Sequence, residues 1–359
     1  MKYGMSLNEM ALELERRQNA QRDYLVDTRQ MVFDATPDKT MLSLVGDSVT
    51  TIFNVNEIAN NQIGQAFDIP SKYFDRMRRD NPELLAQNVN SWFQKEPKRR
   101  MVRSLDDTVR AFVSDRYRRI DNFPIAEAIL PILFTMPDVS VESCDITDQK
   151  MYIKVVNPRL TAEVTPGDIV QSGIIISNSE VGMGGLSIQP LVYRLVCKNG
   201  MVVNDAAMNK RHVGRGNQAM EDFSLYTDET LAADDRALLL KIKDTVRAVA
   251  EQVHFDRVVK LMREAKEAKI TSTNIPAMVE LTGKDFGFTK SEGQGILDYL
   301  IRGGDLTLFG MANAVTRAAQ DVDSYDRSTT MESIGYDIMN MGRNKWNQLN
   351  TVSAIATVV

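Results

Sequence analysis

The sequence predicts an α+β protein: an antiparallel sheet with a packed helix as its core, a helical N-terminal arm and a helical C-terminal region. Three observations carry this. Residues 6–22 and 234–266 repeat apolar side chains at helical spacing, whereas 101–203 reads as short apolar runs separated by turn residues. A single helical pattern, Phe123–Phe134, interrupts those strand runs, and one helix over antiparallel strands is a stable layer arrangement. At 359 residues the chain exceeds an ordinary domain. The expected division is an arm at 1–39, an α+β core at 40–217 and a helical region at 218–359.

The elements follow in order. Ser6 can cap a helix whose capping-box position is Glu9, with Leu7, Met10, Leu12 and Leu14 as its apolar contacts. Strands are expected at Met41–Val45 and Val49–Phe53, split by Gly46-Asp47. Val55–Phe67 reads as a helix with Ile58, Ala59, Ile63 and Ala66 on one face, and Asp68-Ile69-Pro70 breaks it before a second helix, Ser71–Arg79. Helix, turn and helix is also the shape of a DNA-reading motif. Tyr73, Phe74 and Met77 read as core anchors, which favours plain helical packing. Pro82–Phe93 is a third helix, with Leu84, Leu85, Val89 and Trp92 inward.

Val139–Val141 and Met151–Val156 are strands about a polar turn, and the continuous apolar Ile174–Ile176 predicts a strand covered on both faces. Leu186–Cys197 is a long strand whose reversal is expected at Asn199-Gly200, before Met201–Val203 returns. Pro124 suits the first turn of the intervening helix, and Pro131 should bend or shorten it. Ile242, Val246, Val249 and Val253 predict one long helix from Asp234 to Lys266. Glycines 283, 287, 293, 303 and 304 divide shorter helices after it. The uncharged tail Val352–Val359 predicts burial in its own core or in another subunit, hence a homo-oligomer.

Composition bounds the function. A hydrophobic content of 43% with 25% charged residues is that of a folded globular chain. No apolar run approaches the roughly 20 residues that span a bilayer, and the N-terminus lacks an apolar signal segment, so a cytoplasmic protein without a membrane partner is expected. Cys144 and Cys197 read as reduced thiols. Two histidines and two distant cysteines exclude the common zinc spacings, and no cofactor motif is present. A carboxylate-held magnesium would leave too little trace to read.

The strongest functional signal is a basic segment in an acidic chain. Between Lys95 and Arg119 stand nine Lys/Arg against four Asp/Glu, while the whole chain carries a net charge of -5. Phosphate is the natural ligand of such a surface. Lys98, Arg99, Arg100, Arg103 and Arg110 fall on two expected strands. Read as a continuing strand, Asp115–Arg119 sends Arg116 and Arg118 to one face and Tyr117 and Arg119 to the other. Arginines that track phosphates beside a tyrosine that stacks on a base are the recipe for single-strand binding. The competing reading is a salt-bridged strand with Asp115 and Asp121 as partners. A second basic run holds Lys210, Arg211, His212 and Arg215 among glycines that let a backbone approach a ligand. Gly182-Met183-Gly184-Gly185 lacks the ending of a nucleotide loop and reads as a turn, as does Ser177–Glu180.

Several of these segments also form an ordered set: Arg110–Tyr117 with Ile120-Asp121-Asn122, Ser177–Gly182, Tyr193–Met201, and Arg211–Gly214. In this the chain resembles, over roughly residues 40–260, the phage- and plasmid-borne family catalogued as domain of unknown function 932. The resemblance implies a mobile-element origin and a shared fold, and it brings no catalytic residues. The function expected is non-enzymatic binding of single-stranded nucleic acid in phage or plasmid DNA metabolism, such as annealing or recombination. The competing class is an interaction protein that binds a host factor and no nucleic acid.

Overall fold

The computed structural model describes residues 1–136, 138–204, 208–210, 228–249 and 252–351. Helix α1 (Leu7–Ala20) opens the chain with the expected capping box between Ser6 and Glu9. Six strands then build a first sheet: β1 (Gln21–Asp27), β2 (Met31–Ala35), β3 (Thr40–Val45), β4 (Thr50–Val55), β5 (Arg99–Leu105) and β6 (Thr108–Ser114). Their order is β1-β5-β6-β4-β3-β2. Every pair is antiparallel except β4 with β6, which meet in parallel only at Asn54–Val55 and Thr108–Val109. Between β4 and β5 lie α2 (Glu57–Ala66), α3 (Ser71–Asp80) and α4 (Pro82–Lys95), which cover one face. Phe33, Leu42, Phe53, Phe74, Leu85, Phe93 and Phe112 fill that layer. Each such side chain contributes about 1.5–3 kcal/mol by leaving water.

Two amides finish the edges of this sheet. Asn90 accepts from the Phe33 N–H and donates to the Phe33 carbonyl, both at 2.8 Å, so α4 blocks β2 against further pairing. Where β6 parts from β4, Gln62 of α2 accepts the Phe112 N–H at 2.7 Å in place of a neighbouring strand.

The second sheet is antiparallel, with β7 (Ser140–Ile146), β8 (Met151–Glu163), β9 (Ile169–Asn178), β10 (Leu186–Arg194) and β11 (Asn199–Val202) in the order β11-β10-β9-β8-β7. A short β12 (Met208–Lys210) also pairs with β10. Both faces are covered. Ile153, Val155, Ile174, Ile176 and Ile188 meet α1, α5 (Asn122–Thr135) and α6 (Asp228–Val249). On the other side lie α7 (Gln252–Glu267), α8 (Ile275–Phe286), α9 (Lys290–Gly303), α10 (Leu308–Ala318), α11 (Tyr325–Met339) and α12 (Arg343–Asn350). There Tyr152, Ile175 and Leu191 pack against Tyr325. A Cβ on Gly173 would fall 2.3 Å from the Val155 carbonyl oxygen, so β9 needs glycine at its centre.

The α+β class is therefore what the sequence predicted, with helices at both ends. Particular elements differ. β1 and β2 precede residue 40 yet belong to the first sheet, so the expected arm–core division runs through that sheet. α1 packs on β7 and α5 of its own chain. Leu84, expected inward, is exposed, and Phe93 takes the inward place. α5 continues through Pro131 to Thr135. The reversal after β10 falls at residues 195–198, where Lys198 adopts φ 51°, and Asn199-Gly200 begin β11. The expected long helix is described as α6 and α7 on either side of residues 250–251, and Val352–Val359 lies outside the described residues.

One ion pair sits wholly inside: Lys154 of β8 donates to Glu332 of α11 at 2.6 Å, with both side chains fully buried. The Lys154 ammonium also stands 4.7 Å from the Tyr325 ring centre. Removing one partner strands the other charge. Lys154→Met should lower stability by about 3–5 kcal/mol in urea unfolding, and adding Glu332→Leu should recover most of that loss.

Burial pushes the Cys144 thiol up to about 11, and its Sγ donates to the Met5 carbonyl. An unfolded thiol ionises near 8.5. The raised folded value contributes stability that is present below that pH and is lost as pH rises toward 11. Cys144→Ala should therefore lose less stability than the parent between pH 8 and 10.5, measured by urea titration at each pH.

Candidate functional site

The basic segment divides into a buried half and an exposed half. Val109 and Phe112 both face the helical layer although they are three residues apart, which plain strand alternation forbids. Arg103 stands opposite Ala111 and Ser104 opposite Val109, so Arg110 is the extra residue of a β-bulge. The bulge re-aims Arg110 to the face that carries Arg103, toward the second sheet.

What waits there is Glu180, in the loop after β9. The Arg103 guanidinium donates to the Glu180 carbonyl at 2.8 Å, to Asp23 at 2.8 and 3.2 Å, and to Asp121 at 2.6 Å. Arg110 donates to Glu180 Oε2 at 2.5 Å and to Gln21 at 2.8 Å. Glu180 Oε1 accepts from the Asn122 N–H at 2.7 Å. Asp121, the residue before α5, makes no capping bond of its own, so Glu180 supplies the anion at that helix start. Burial works to discharge Arg103; Asp121 and Asp23 outweigh it and hold its pKa above the ordinary value.

Neighbouring groups lock the same loop. The Tyr117 hydroxyl donates to the Ser179 carbonyl at 3.2 Å, and burial raises its pKa. Asn178 donates to the Ile120 carbonyl and to Asn122 Oδ1, both at 2.8 Å. The second arm of Gln62 donates to the Val181 carbonyl at 2.7 Å. Gly182 adopts φ 77°, and a Cβ there would press on Val113 and Gln62, with Tyr117 close by.

The expected site residues therefore separate. Arg103, Arg110 and Tyr117 are interior, in the junction between the sheets. Lys98 is half-buried, donating to the Ala66 carbonyl at 2.6 Å and lying 4.6 Å from the Phe67 ring centre. Arg100 lies over the Phe112 ring, and burial lowers its pKa. Arg99, Arg116 and Arg119 are exposed, and Arg118 is half-buried. The expected strand does not continue: Asp115 and Arg116 form a turn in which the Tyr117 N–H donates back to the Ser114 carbonyl, Tyr117 makes a single β-bridge, and 118–120 are irregular. The predicted alternation of Arg116 and Arg118 against Tyr117 and Arg119 is thereby replaced: Tyr117 alone turns inward. Arg119 reaches Asp23 at 3.5 Å. Lys210 pairs with Leu186 at the start of β10, while Arg211, His212 and Arg215 lie outside the described residues. Among the described residues no cluster of His, Cys, Asp or Glu could hold a metal ion, and no helix is long and apolar enough to cross a membrane.

Glu180, Asp23, Gln21, Gln62 and Asn178 are the junction residues that sequence reasoning did not single out. Ser177–Gly182 carried the only usable signal, because it recurs in the ordered motif set together with Arg110–Asn122. The two motifs meet in space through Arg110 and Glu180.

The sequence model of the family described as "Domain of unknown function (DUF932)" matches residues 110–335, which is more than half of the chain. The protein belongs to that family. No curated protein and no solved structure matches the chain.

Arg103→Ala should cost about 3–5 kcal/mol, because it takes from Asp23, Asp121 and the Glu180 carbonyl their shared buried donor and leaves the two carboxylates, among the described residues, only contacts at 3.5 Å. Arg119→Ala, at the exposed rim, should stay within about 0.5 kcal/mol of the parent. Chemical unfolding of the two variants checks the contrast, and similar losses would contradict it.

Proposed function

We propose that the protein binds single-stranded nucleic acid without chemical catalysis, through Arg99, Arg116 and Arg119 together with the basic run Lys210–Arg215. Arg103, Arg110 and Tyr117 are the scaffold beneath that rim. The observation that supports this is convergence. Lys210 pairs with Leu186, and the turn leading into Leu186 packs Gly182 beside Tyr117. Lys210, where the second basic run begins, and Tyr117, near the end of the first, thus both border the connection between β9 and β10. Exposed arginines carried on an ordered backbone meet phosphates without the cost of ordering the chain that bears them. In a chain of net charge -5 such a rim is a local attraction only. The corresponding role is annealing or recombination in phage or plasmid DNA metabolism, in the cytoplasm of the host, by a homo-oligomer.

The test is a salt titration of binding to a labelled single-stranded oligonucleotide. Each neutralised phosphate contributes about 0.7 to the fall of log affinity with log salt. Replacing Arg99, Arg116 and Arg119 together by Ala should weaken binding several-fold, flatten that slope by about 2 and leave the unfolding midpoint unchanged. Folded parent protein that shows no binding at low salt would overturn the proposal in favour of a protein partner.

A further inference from the structure

Resting on the nucleic-acid reading, we infer that the exposed face of α3 is a base-stacking contact centred on Tyr73. The sequence groups Tyr73 with Phe74 and Met77, but the fold separates them. Phe74 and Met77 are 2% and 3% exposed in the first core, whereas Tyr73, one turn before Met77 at the edge of that buried face, is 46% exposed. The core does not require this ring, and among the described residues its hydroxyl has no hydrogen bond.

The surroundings of Tyr73 are cationic. Lys72 precedes it and Arg76 stands one turn on, both exposed. Residues 71–80 carry Lys72, Arg76, Arg78 and Arg79 against Asp75 and Asp80. Arg78 is committed to Glu57 at 2.7 Å, and Asp80 is shared between Arg79 at 2.8 Å and Arg76 at 3.7 Å. The weak, exposed Arg76 pairing leaves that guanidinium available to a phosphate.

Lys98 ties the start of β5, beside the proposed rim, to the end of α2. Its ammonium reaches the carbonyl of Ala66, at the end of the helix before α3, while the next residue is the exposed Arg99. An anionic polymer with accessible planar bases suits an exposed ring flanked by cations. A duplex does not, because its bases are stacked on one another.

The experiment measures affinity for a single-stranded oligoadenylate, for an abasic oligomer of the same length and for a duplex. Tyr73→Ala should weaken oligoadenylate binding about 5- to 100-fold and leave abasic and duplex binding near the parent values. Tyr73→Phe should bind like the parent. Unchanged circular dichroism and urea midpoint would show that the fold is intact. Equal loss on abasic and base-bearing strands, or no loss on either, would overturn the stacking contact while leaving the Arg99–Arg116 rim in place. A parent protein that binds none of the three would overturn both.

Discussion

Glu180 holds three separate elements with one carboxylate and one carbonyl. Its carbonyl accepts from Arg103 of β5, one carboxylate oxygen from Arg110 of β6, and the other from the first turn of α5. The first sheet and the second are thereby joined through a residue that is only 5% exposed. Charges taken so far from water are costly unless each is paired and hydrogen-bonded. Here Asp23, Asp121 and Gln21 supply further partners, and among the described residues only the buried Arg110 Nε of this cluster lacks an acceptor, so the arrangement tolerates little local change. The bulge at Arg110 belongs to the same constraint, since without its extra residue that guanidinium would face the helical layer instead.

The constraint divides one basic segment between two environments. A run of nine cations looks uniform in sequence, yet a strand sends alternate side chains to different environments. Arg103 lands between the sheets and is matched with acids drawn from distant positions. Arg99 and Arg116, at the ends of the strands, stay in water. The proposed binding therefore belongs to the rim, and stability to the residues beneath it.

Much of the fold was legible because local rules act on local residues. The capping box at Ser6 and Glu9, the break at Pro70 and the doubly covered Ile174–Ile176 all follow from neighbours in the chain. What could not be read depends on contacts across the chain. β1, with the polar Gln21, Arg22, Asp23 and Asp27, does not look like a strand until β5 pairs with it. The turn at 115–116 and the irregular residues after it looked like a strand because alternating polar and apolar residues cannot distinguish a strand end from its continuation. Glu180 looked like turn chemistry, since its partners lie 58 to 77 residues earlier. The rim was half legible: charge marked the segment, but burial decides which arginines a ligand can reach.

The most direct test of the junction is a double-mutant cycle between Arg110 and Glu180, using Arg110→Met, Glu180→Leu and the pair, with stabilities from urea unfolding. If these groups hold the sheets together, each single change strands a buried charge and the pair is less damaging than the sum. The coupling should then lie in the upper part of the range of about 0.5–3 kcal/mol seen for residues in one network. Losses that add to within about 0.5 kcal/mol would show that the two residues act independently, and would contradict the account.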